Sequence, residues 1–213
     1  MSIKTTEAKL YYALYDFFEK EGFSLLMDKK QFRVNTAAGF KNIIFLVSDY
    51  EDGAWLEVHI GCRNEQVEQT AQQFLNVNSM DFRPDANTLI ISTGQYNDVK
   101  YFRYKIKDED DLVATCESVK DFLMELGFDF LNTIAHLADV DRLLNSEPLK
   151  PCKYLYNQVH RCFKGLIAAK FNDNPRYQYI EETYRKYLAK FANEIECSNY
   201  ERLVVYLKYY GSN

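Results

Sequence analysis

No stretch of about 18 consecutive apolar residues occurs in the chain, so no membrane-crossing helix is expected. The N-terminal residues Met1-Ser2-Ile3-Lys4-Thr5-Thr6-Glu7 have neither the apolar core nor the cleavage site of a secretory leader. They run directly into an amphipathic pattern, and a cytoplasmic, bacterial protein is the expectation. The motifs G-x-x-x-x-G-K-[ST], G-x-G-x-x-G, G-x-S-x-G and H-E-x-x-H are all missing. With them go the recognisable routes to phosphate cradling, dinucleotide binding, acyl transfer and zinc proteolysis. Cysteine is sparse: Cys62, Cys116, Cys152, Cys162 and Cys197 are odd in number and widely spread. That spacing suits buried, reduced thiols better than a disulfide framework. The three histidines, His59, His136 and His160, find no second cysteine pair with which to close a zinc site. No catalytic residue, cofactor or metal is therefore assigned.

Core-forming residues are plentiful. Apolar residues make up 47% of the 213 and aromatics 15%, which excludes a disordered chain. The net charge of −5 is unevenly spread. Residues 1–148 hold 15 Lys and Arg against 25 Asp and Glu, giving −10, whereas residues 149–213 hold 11 against 6, giving +5. Either the two parts neutralise one another and solvate the surface, or the basic part meets an acidic partner.

The stretch from Gln31 to Ile106 organises the rest. Phe32, Val34 and Thr36 alternate with Arg33 and Asn35, and Leu56, Val58 and Ile60 alternate with Trp55, Glu57 and His59. A period of two predicts strands. Ile43 to Val47 is continuously apolar, as in a strand covered on both faces. Asp52-Gly53 marks a hairpin turn. A closing hairpin is expected from Thr88–Thr93 and Val99–Ile106. Before the strands, Leu10, Tyr11, Leu14, Phe17 and Phe18 form a helical stripe that Gly22 stops. Between them and the closing hairpin, Asn64 caps a helix running to Leu75. After the hairpin, Asp108–Asp111 place carboxylates at a helix start and Gly127 ends that helix.

The order α-β-β-β-α-β-β-α resembles the type III secretion chaperone-like fold, shared by secretion chaperones and bacterial sensory-transduction-regulator proteins. The resemblance spans roughly residues 4–128. It lies in the topology and in Glu21-Gly22-Phe23, Phe74-Leu75-Asn76-Val77-Asn78, the closing hairpin and the acidic helix start. It implies a non-catalytic module, of a kind that often dimerises and binds other proteins.

From Asp129 onward the pattern is helical and lies outside that resemblance. Helices are expected over Leu131–Asn145, over Lys153–Phe171, after Pro175, and from a Ser198 cap. Pro148 and Pro151 make Ser146–Pro151 a linker. The expected class is thus α+β, an antiparallel sheet domain over residues 1–130 followed by an all-helical extension over 131–213. Arg176 to Tyr187 interleaves tyrosines with basic groups, as a nucleic-acid surface would. However, Tyr184 and Tyr187 fall on the apolar stripe and Glu181 and Glu182 oppose phosphate, so nucleic acid is not the favoured partner. The polar sheet face is: Trp55, Glu57 and His59, with Arg33 and Arg103 near them, would suit a peptide or small ligand. The expected function is non-enzymatic protein binding of accessory or chaperone type, with a homodimer as one form. The alternatives are a nucleic-acid-associated protein using the basic C-terminal helices, or an enzyme whose site has no recognised signature.

Overall fold

The computed structural model describes residues 3–75, 83–99, 101–134 and 136–210. The expected run Asn76-Val77-Asn78 lies outside the described residues. Helix α1 (Ile3–Lys20) leads to β1 (Ser24–Leu26), a 3-10 turn, and the strands β2 (Gln31–Thr36), β3 (Gly39–Tyr50) and β4 (Gly53–Asn64). Helix α2 (Glu65–Leu75), β5 (Leu89–Ser92), the single turn α3 (Thr93–Tyr96) and β6 (Tyr104–Ile106) follow. The rest is helical: α4 (Glu109–Phe122), a π-helical turn (Leu123–Gly127), α5 (Phe128–Thr133), α6 (Leu137–Asn145), α7 (Gln158–Phe171), α8 (Tyr177–Phe191) and α9 (Glu194–Tyr209). The protein is α+β, with an antiparallel sheet of six strands and helices at its C-terminus.

Two compact units are present. The first comprises residues 1–62 and 90–133, and the second residues 63–89 and 134–213. Each is built from two separated pieces of chain.

In the first unit, period two decides which face of each strand packs. Phe32 pairs across from Ile43, and both are fully buried with Phe45, Leu56, Val58 and Ile60. The α1 stripe lies on them: Phe18 stacks on Phe32 with ring centroids 4.1 Å apart, and Tyr11 meets Phe32 and Phe45 edge-on. Gly22 does stop α1, at φ 80°, with the Phe23 N–H donating back to the Phe18 carbonyl at 2.9 Å.

The closing hairpin is not formed as the alternation predicts. Strands β5 and β6 both pair with β4 rather than with each other, and β6 takes the Ala54–Leu56 end. Between them Ser92 caps α3 by accepting from the Gln95 N–H at 3.2 Å, so local capping wins over a turn. Gly53 permits the β6 pairing: a Cβ there would stand 2.8 Å from the Ile106 carbonyl oxygen. At α4, the acidic run works as expected: Asp108 accepts from the Asp111 N–H and Asp111 from the Lys107 N–H, each at 2.9 Å. Gly127, in contrast, does not end the helix, which passes through the π turn into α5.

The second unit packs α2, α6, α7, α8 and α9 around buried polar groups. Asp141 accepts from Asn145, Asn172 and Asn174 at 2.6, 2.8 and 2.7 Å. Arg161 donates to the carbonyls of Leu144, Glu147 and Lys150, groups that the end of α6 and the turn after it leave open. The proline segment is therefore held down by a buried guanidinium. Lys164 and Glu68 form an ion pair at 2.6 Å with 5% and 1% of their side chains exposed. Helix α9 starts earlier than expected: Asn193 and Glu196 make a reciprocal capping box, and Ser198 lies inside the helix.

Candidate functional site

The open end of the sheet face supplies the site. Strand β4 buries Ala54, Leu56 and Val58, which turns Trp55 and Glu57 to the other side. Lys105 stands directly across from Trp55 in the β4–β6 register, so its side chain shares that face. Its ammonium lies 5.2 Å from the centre of the Trp55 ring and pairs with Asp52. Asp52 also accepts from the Trp55 indole N–H at 3.3 Å. The hydrogen bonds from Lys105 and then Trp55 hold the Asp52 carboxyl below the usual carboxylate range. Tyr50 meets the indole edge-on at 6.3 Å. Tyr50, Asp52, Trp55, Tyr101 and Arg103 line a groove of about 400 Å³. No family model, curated protein or solved structure matches the chain. What the groove can do must therefore be read from its chemistry.

Glu57 links two of the other expected residues. Its carboxylate lies 3.2 Å from His59 Nε2 and 3.4 Å from Arg103 Nε. His59 is only 5% exposed, and its burial pulls the imidazole pKa down although Glu57 pulls it up. It is thus a buried neighbour of Glu57, whose carboxylate also pairs with Arg103 of the groove lining. Arg33 is not among the groove-lining residues. Its guanidinium lies over the Phe40 ring at 3.8 Å. Sequence reading missed Tyr50, Asp52, Tyr101 and Lys105. Asp52 had a legible signal, read only as a turn residue, and Lys105 shares a period of two with Arg103.

The surface combines an indole platform, two exposed tyrosines and two cation–carboxylate pairs. Such a set offers stacking faces and hydrogen-bonding groups side by side. Elsewhere the nucleophile candidates are muted. Burial pushes the Cys116 thiol up to about 11 and the Cys162 thiol up to about 12, so both stay protonated near neutral pH. The Cys162 thiol donates to the Gln158 carbonyl at 3.3 Å. Burial also lowers the His160 pKa. Among the described residues no three His, Cys, Asp or Glu side chains cluster to hold a metal, and no helix is long and apolar enough to cross a membrane.

Proposed function

We propose that the protein is a non-catalytic binding module of accessory or chaperone type, which holds an extended segment of a protein partner in the Trp55 groove. The observation that carries this is the exposed aromatic set, with Tyr101 at 92% and Tyr50 at 56% exposure around the half-buried indole. Large aromatics left open beside preformed ion pairs are characteristic of recognition surfaces. The resemblance to type III secretion chaperones, in Glu21-Gly22-Phe23 and the acidic start of α4 though not in a closing hairpin, supports the same reading and adds a homodimer to it. The five free thiols support a reducing, cytoplasmic setting.

The basic C-terminal helices offer less to nucleic acid. Arg185 is taken up by Glu181 and Glu201, Tyr184 is buried, and Arg161 and Lys164 are turned inward. The test is capture of partners from native extract, with nuclease added, by the wild-type chain and by Trp55→Ala/Tyr101→Ala. Loss of two anchoring aromatics should weaken capture roughly tenfold or more with the circular dichroism spectrum unchanged. Trp55 is the chain's one tryptophan, so its emission should shift when the captured segment is added back. A partner that the double variant holds as well as wild type would sink the proposal, and capture abolished by nuclease would transfer the function to nucleic acid.

A further inference from the structure

Two residues that line the Trp55 groove already receive a cation, and it comes from the chain itself. The Lys105 ammonium pairs with the Asp52 carboxylate and lies 5.2 Å from the centre of the Trp55 ring. A carboxylate beside the negative face of an indole is the pairing that recognises an alkylammonium. The Trp55 indole N–H fixes Asp52 at 3.3 Å, and its hydrogen bonds keep that carboxyl ionised. Tyr50 stands at 82° to the indole, so the two rings meet as a corner rather than a flat stack. Tyr101 brings a third ring to the same lining. The lysine of the chain thus shows which ligand chemistry these groups accept.

Lys105 is loosely kept there. Its side chain is 31% exposed and that of Asp52 55%, and an ion pair so open to water contributes little. A competing ammonium can take its place at small cost. Charge points the same way. The hairpin Asp49-Tyr50-Glu51-Asp52 carries three carboxylates and no cation. The first unit as a whole holds 12 Lys and Arg against 18 Asp and Glu, giving −6. Arg103, the cation of the groove lining, has the Glu57 carboxylate beside it at 3.4 Å. An acidic segment would approach against this field and a basic one along it.

We propose that the segment held in the groove is basic, and that one of its lysine ammoniums replaces Lys105 on Asp52 and Trp55. The inference rests on the groove being the seat of a partner segment, and it supplies the chemistry of that segment. Lys105 is then a built-in competitor that the partner must displace.

The test is a titration of the isotope-labelled full chain with a blocked Gly-Lys-Gly-Lys-Gly peptide. It is followed on the indole N–H resonance, which is single because the chain has one tryptophan. A saturable shift is expected, and none with the Gly-Glu-Gly-Glu-Gly counterpart. Lys105→Met removes the competitor and should tighten binding by about 2- to 5-fold, with the remaining spectrum unchanged. Lys105→Gln should act in the same direction, and Asp52→Asn should weaken binding by about 2- to 5-fold. Absence of a saturable shift in wild type and in both Lys105 variants would overturn the proposal. So would an equal response to the glutamate peptide, or weaker binding when Lys105 is removed. If the lysine peptide fails while Trp55→Ala/Tyr101→Ala still loses its captured partner, the ammonium preference falls and the groove keeps its binding role. If the lysine peptide binds while that double variant captures as wild type does, the ammonium site stands and the chaperone-type reading falls.

Discussion

At Gly165, in the middle of α7, a Cβ would stand 2.7 Å from Asn145 Oδ1 and 2.9 Å from the Tyr184 hydroxyl. Both atoms are already engaged: the Tyr184 hydroxyl lies 2.5 Å from Asn145 Oδ1, and Asn145 Nδ2 reaches the Gly165 carbonyl at 2.8 Å. Alanine normally favours a helix by about 1 kcal/mol over glycine. Here it must displace a buried polar network, a cost of about 1–3 kcal/mol from overpacking plus the lost hydrogen bonds. Gly165→Ala is therefore expected to destabilise the protein by about 2 kcal/mol, measured as a lower urea midpoint. A gain in stability would show that the network yields freely. At this scale the sequence was informative about which residues share a face and silent about which of them meet. Trp55, Glu57 and Arg103 do come together, but a period of two gives only the face that Trp55 and Glu57 share, and the β4–β6 pairing brings Arg103 to it. His59 also falls on that face but is buried, because its depth depends on neighbours distant in sequence. Arg33 goes to the Phe40 ring, a β2–β3 contact that turns on register rather than alternation.

Elements are held by features of different reach. Helix caps are local, and Asn64, Asp108 and Gly22 act where their residue types suggest. Strand pairing is not local, and so the Thr88–Ile106 stretch has strand character at both ends, as a hairpin would, yet its two strands do not pair with each other. What decides it is that β4 is long enough to accept β5 and β6 separately. Helix contacts in the second unit include a buried ion pair beside the apolar stripes: Lys164 of α7 binds Glu68 of α2 and the Asn87 carbonyl. Removing one partner leaves an uncompensated buried charge, so Glu68→Leu is expected to cost about 3–5 kcal/mol. The double variant Glu68→Leu/Lys164→Met should recover most of that loss, since an apolar pair of similar volume is often neutral. Equal destabilisation by the single and double variants, read in denaturant titrations, would show that the ion pair itself carries the helix contact.

On the scale of the whole molecule, the division at 130/131 follows the point where the sequence pattern turns wholly helical, whereas the two compact units follow contacts, and α2 makes its contacts with α7 and α9. Nothing in the glutamine-rich face of α2 announces that its other face, Val67, Ala71 and Phe74, belongs to the C-terminal helices. A fragment of residues 131–213 would lack α2 and leave Lys164 without its carboxylate. It is expected to show helical circular dichroism without a cooperative thermal transition, and a sharp transition would mean that α6 to α9 fold unaided. The interleaving also bears on synthesis. Residues 63–89 leave the ribosome well before the partners that will cover them, and making the remaining chain takes on the order of 10 s. Over that interval the apolar stripe of α2 is part of a nascent chain with its own packing partners still untranslated, a window in which a holding factor can bind it.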